Sequence, residues 1–132
     1  MRTTQIKFEE EIIVKRTISI SISTSDIQER CVFIKISRSG KPQGMSPEAL
    51  YNATRKEWRA SLAHITKVDY VVAVYNNKIV EVYKPIDWFV NINNTRVSFE
   101  GILAPFEIRQ KYIGLQLSSL AGVRQPIAYN FK

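Results

Sequence analysis

The chain has 132 residues, 45% of them hydrophobic, with five glycines, five prolines and a net charge of +7 at a pI near 9.7. That is one domain's worth of ordinary globular chain, able to bury roughly two thirds of its unfolded surface, which argues against disorder and low complexity. A single cysteine (Cys31) and a single histidine (His64) exclude a disulfide framework, a cysteine zinc site and a histidine-rich metal site.

No run approaches the ~18 apolar residues of a membrane span, and the Thr- and Glu-rich N-terminus has no apolar signal core. The expectation is a cytoplasmic protein with no membrane partner.

The first expected strand covers residues 12–22, where Ile18, Ile20 and Ile22 alternate with Ser19, Ser21 and Ser23, the pattern of a sheet with one face in water. Thr24-Ser25-Asp26 then opens a short helical turn before a second strand at 32–36. Cys31 begins the apolar run Cys31-Val32-Phe33-Ile34 and reads as a small buried hydrophobe. Residues 37–44 form a polar loop. Ser46-Pro47-Glu48 supplies an N-cap, a proline at the first helical position and a first-turn acid. This predicts a helix over 47–63 whose projection sets Tyr51, Trp58 and Leu62 on one face and Arg55 and Arg59 on its edge.

The clearest strand pair follows, 70–75 and 79–83, apolar on both faces and joined by Asn76-Asn77. A two-residue type I′ turn there pairs Val74 with Ile79 and Tyr70 with Tyr83. Pro85 is expected to end the second strand, leaving Trp88-Phe89-Val90 in an extended or turn segment. A loop at 91–95, a strand at 97–103, a short helix at 105–112 ended by Gly114 and a C-terminal edge strand complete the chain. The order predicts an α+β fold: a small, curved, mostly antiparallel sheet or partial barrel with one main helix and one short helix, residues 1–132 forming one domain.

The charge is unevenly spread. Residues 30–67 hold eight Lys/Arg against two acids, a net +6, so the rest of the chain supplies only +1. Such a segment suits a polyanion: cations hold phosphates, and aromatic rings give bases a stacking surface worth about 1–3 kcal/mol. Arg38 and Lys41 in the loop, Arg55, Lys56, Trp58 and Arg59 on the helix, and Trp88 beyond it are the candidate nucleic-acid-binding residues. Lys35 would extend the same strip. The bland counterparts are core packing for Trp58 and Trp88, and ion pairing or solvation for Arg55 and Arg59.

Enzymatic readings have less to stand on. The five glycines are too scattered for a phosphate loop, and His64 lies where it completes a helix end. A metal-dependent nuclease would rest on Asp69 and Glu81, but Lys84, three residues past Glu81, points to the opposite face of the strand. No catalytic residue, metal or cofactor is expected.

The string from Met45 to Arg55, followed by Trp58-Arg59 and the two Val-rich strands, resembles a small bacterial module of unassigned function. Its mark is a helix ending in Thr-Arg-x-x-Trp-Arg ahead of a valine-rich hairpin. Phe99-Glu100-Gly101, Ala104-Pro105, Ile108-Arg109, the run from Lys111 to Gly114 and the run from Pro126 to Tyr129 extend the resemblance over residues 32–130. Asn76-Asn77 stands where the module is expected to have glycine. The layout in turn resembles the PUA-like pseudobarrels, including the EVE and ASCH groups, which implies a pocket between barrel and helix that binds RNA or reads a modified base. No pocket residue of those groups is carried over. The expectation is a non-enzymatic nucleic-acid-binding domain. The alternatives are an adaptor or inhibitor, of restriction or defence association, that binds an acidic protein, and the nuclease.

Overall fold

A computed structural model of the chain describes residues 20–36, 44–91, 93 and 96–132. Its elements run β1 (Ser21–Ile22), a 3-10 turn (Thr24–Asp26), β2 (Cys31–Lys35), α1 (Pro47–Arg55), α2 (Leu62–Ile65), β3 (Tyr70–Tyr75), β4 (Lys78–Val90), β5 (Val97–Leu103), α3 (Phe106–Tyr112), β6 (Gln116–Leu117), a second 3-10 turn (Ser118–Leu120) and β7 (Ile127–Tyr129). The strand expected over 12–22 therefore enters the described residues only as β1, and the 37–44 loop lies outside them except for Gly44.

The fold is α+β. The strands form a curved, unclosed sheet in the order β1-β6-β4-β3-β2-β7, with β5 pairing the far half of β4. Pairing is mostly antiparallel; β1–β6 and β2–β3 are the parallel pairs. A parallel pair needs a crossover, and α1 and α2 occur within the one between β2 and β3.

Both central strands are buried on both faces, which explains their unbroken apolar sequence. One face packs Phe33, Val72, Val74, Ile79 and Val82 beneath Ile108 and Tyr112 of α3. The other packs Val32, Ile34, Val71, Ala73, Tyr83 and Phe99 against Leu50, Tyr51 and Trp58.

The helix expected over 47–63 is broken. Ser46 caps α1 as read, its hydroxyl accepting the Ala49 N–H. At Lys56, however, the backbone turns extended (φ −154°, ψ 158°). Trp58 then exchanges two backbone hydrogen bonds with Val97, N to O at 2.9 Å and O to N at 2.7 Å. An edge strand with unmet N–H and C=O groups outweighed local helix propensity. The projected face fails with it: Leu62 begins a separate short helix and is exposed.

Asn76 (φ 50°) and Asn77 (φ 64°) make the two-residue turn, and Val74 pairs with Ile79. The expected Tyr70–Tyr83 pairing does not form. A bulge between Ala73 and Val74, with Val80 the extra residue on β4, slips the register by one, so Ala73 meets Glu81 and Val71 meets Tyr83. Nor does Pro85 end the strand. β4 runs on to Val90, with Pro85 opposite Gly101 beside a second irregularity at Ile86; a bulge tolerates a residue without an N–H. A Cβ on Gly101 would stand 2.2 Å from the Lys84 carbonyl oxygen, so this crossing needs glycine.

The C-terminal strand is the expected edge, β7 pairing with β2. Asn130 fastens it. Its Oδ1 accepts the Cys31 N–H at 2.8 Å, and its Nδ2 lies 2.9 Å from the Ile27 carbonyl and 2.8 Å from that of Glu29.

Candidate nucleic-acid interface

The Thr54-Arg55…Trp58-Arg59 string sits where α1 meets the outer edge of β5, and its side chains divide into two groups. The first serves the fold. Thr54 is buried and its hydroxyl donates to the Leu50 carbonyl. Arg55 donates through Nε to the Phe99 carbonyl at 3.1 Å, holds its guanidinium 5.7 Å from the Tyr51 ring centroid and lies 3.8 Å from Glu100. Tyr51 accepts the Gly101 N–H at 2.9 Å. With the Trp58–Val97 bridge, these contacts meet β5's outward-facing groups at Val97, Phe99 and Gly101 in turn. The helix end thus serves as the missing neighbour strand.

Trp58 belongs to both groups. Its indole Nε1 donates to the Thr54 carbonyl at 2.7 Å and its ring is half-buried against the second core layer. Lys56 and Arg59 form the second group. Both are exposed, and among the described residues neither has an ion-pair partner. The expected helix edge of Arg55 and Arg59 does not form, because Arg59 lies beyond the break; Lys56 and Arg59 flank Trp58 on an extended segment instead.

Trp88 is half-buried in the continuous strand β4, its ring 5.5 Å from Phe99. Arg38 and Lys41 lie outside the described residues. Lys35 does not extend the strip: its ammonium donates to the carbonyls of Leu120 and Val123, tying β2 to the C-terminal turn.

The carboxylates of the nuclease alternative are occupied. Glu81 is buried and receives Arg109 Nε on Oε1 at 2.8 Å and Nη2 on Oε2 at 2.9 Å. Asp69 accepts the Arg30 N–H at 2.9 Å. Among the described residues, no set of three or more His, Cys, Asp or Glu is placed to hold a metal ion. His64 stacks on Phe131 at 4.7 Å and meets the edge of Tyr129 at 4.3 Å, so its ring packs against the C-terminal tail.

No protein-family model, curated protein or solved structure matches the chain. No helix among the described residues is long and apolar enough to cross a membrane.

A second titratable cluster lies at the start of β2 and β3. Cys31 is buried and paired with Tyr70, and burial, then the charges of Glu29 and Asp69, push its thiol up to about 12. Burial, then donation to Glu29 Oε1 at 2.5 Å, raises Tyr112 as well. These groups hold their protons, which suits the packing role read for Cys31 and not a nucleophile.

Sequence reasoning assigns no bonding or close-packing role to Arg109, Tyr51, Asn130 or Gly101. The signal for the first was present: Glu81 is a lone charge in the apolar run Ile79-Val80-Glu81-Val82-Tyr83, and a buried carboxylate requires a cation.

Proposed function

We propose that the chain is a non-enzymatic nucleic-acid-binding domain, of PUA-like type, for RNA or modified-base DNA. Lys56 and Arg59 take backbone phosphates together with Arg38 and Lys41, which precede α1 in the sequence, and Trp58 offers its ring edge to a base. Arg55 and Trp88 act as the scaffold of that surface. The observation that carries the reading is the pair of exposed cations, without ion-pair partners among the described residues, on either side of a tryptophan whose ring and backbone are both anchored. A surface already held in place loses little side-chain and backbone freedom when a ligand arrives.

The test is the salt dependence of binding, followed by fluorescence anisotropy on labelled single-stranded RNA and DNA. Four phosphate contacts predict that log affinity falls with log salt at a slope of about −3, since each contact contributes roughly 0.7 on a single strand. No measurable binding at about 50 mM salt, or a slope near zero, would overturn the reading.

A further inference from the structure

The far half of β4 and β5 forms a two-stranded ribbon with unequal faces. Trp88, Val90, Val97 and Phe99 point into the second core layer beneath α1. The opposite face continues the side that α3 covers, and beyond it Lys84, Asp87 and Glu100 are exposed. On it Ile86, Phe89 and Ile102 are 57%, 46% and 56% exposed, three of the chain's large exposed apolar side chains on one short ribbon. Isolated exposed apolar residues are ordinary; a group on one face is a contact surface.

The charges on this face indicate what covers it. Register places Lys84 opposite Ile102 and Asp87 opposite Glu100, with Ile86 between Lys84 and Asp87 along β4. A second ribbon laid face to face, its twofold axis crossing the strands at Ile86, sets each Lys84 over the partner's Asp87, Ile86 over Ile86 and the Ile102 stem beside the partner's Glu100, with no like charges opposed. The other twofold arrangement, with the axis along the strands, stacks Asp87 on the partner's Glu100 and is repulsive. One self-complementary solution is what an isologous contact requires.

We propose that this ribbon face is the interface of a homodimer, two copies of the chain packing Ile86 against Ile86 with reciprocal Lys84–Asp87 ion pairs. The patch is small, so the dimer is weak and reversible, with a dissociation constant on the order of 10–100 μM. The inference stands on the ribbon alone and does not depend on nucleic-acid binding.

The test is sedimentation velocity of the full chain from about 10 μM to 1 mM, a range that brackets the expected constant. The mass is expected to climb from one chain towards two. Ile86→Lys should raise the dissociation constant by about tenfold or more, as should Lys84→Glu, and adding Asp87→Lys to Lys84→Glu should restore it. An amide chemical-shift dilution series on the unaltered protein needs no variant and should move the signals of residues 84–89 and 100–102. A mass of one chain throughout, a dimer indifferent to these substitutions, or shifts confined to another surface would overturn the proposal.

Discussion

Arg109 grips Glu81 through two parallel hydrogen bonds of 2.8 and 2.9 Å, and both side chains lie inside the protein. The pair ties α3 to the bulge of β4, and Glu81 Oε1 also accepts the Val82 N–H at 3.0 Å. A charge buried this way is held by its partner and not by water, so the two residues stand or fall together.

Removing one of them should therefore be costly. Arg109→Met or Glu81→Leu is expected to lower stability by about 3–5 kcal/mol, because each leaves a buried charge uncompensated. The double variant should recover most of that loss. Urea unfolding of the three variants checks it; single variants as stable as the parent would contradict a buried pair.

At Gly101 the added methyl of Gly101→Ala would meet backbone, 2.2 Å from the Lys84 oxygen and 3.0 Å from the Pro85 Cα. Neither neighbour is a side chain that can swing away, so β4 and β5 must part. The expected destabilisation is about 1–3 kcal/mol, read as a lower melting temperature. An unchanged melting temperature would mean that the strands cross less closely than described.

Tyr51→Phe isolates the edge contact. It preserves the ring that packs on Tyr83 (5.4 Å) and Phe99 (6.0 Å) while removing the acceptor for the Gly101 N–H. Hydrogen exchange at the Gly101 amide should accelerate, with a stability loss of about 1–3 kcal/mol. Unaltered exchange at that amide would show that the phenol does not protect it.

These contacts also show what could be read from sequence. Local chemistry announced itself: the Ser46–Pro47 start of α1, the turn at Asn76-Asn77, β5 over 97–103 and the short helix ending before Gly114 all form as expected. Features decided by a distant partner did not. Nothing between residues 47 and 63 announces that Trp58 will pair its backbone with Val97, so local signals extend the helix past its actual end at Arg55. Pro85 signals a strand end until Gly101 is known to lie opposite. The bulge that displaces Tyr83 from Tyr70 has no local mark. Lys35 reads as a surface cation because its carbonyl partners, Leu120 and Val123, lie far along the chain. The candidate site was legible in composition, as a basic segment around a tryptophan, and the division of labour within it was not.

Cys31 gives the fold a signature in alkali. Its thiol is raised to about 12 by burial and by Glu29 and Asp69, from an ordinary value of 9.0. A folded-state value above the unfolded one means that the stability is fully present below pH 9. Above pH 9 it is lost as pH rises, because only the unfolded chain releases the proton there. Each pH unit in that window costs up to about 1.4 kcal/mol from this group. Tyr70, Tyr112 and Tyr129 are raised too and add to the fall at higher pH. Cys31→Ala should flatten the onset near pH 9 in urea unfolding curves; an identical pH profile would contradict it.

Lys56 and Arg59 are exposed, with no ion-pair partner among the described residues, while Arg55 and Trp58 are committed to the fold. The most direct measurement pairs nucleic-acid affinity with thermal stability for two double variants, Lys56→Glu with Arg59→Glu, and Arg55→Met with Tyr51→Phe. The first should lose about tenfold or more in affinity for single-stranded RNA or DNA at about 50 mM salt and melt like the parent. The second should melt lower and, while still folded, retain most of its affinity. An affinity unmoved by reversing both exposed charges in a folded protein would contradict the account.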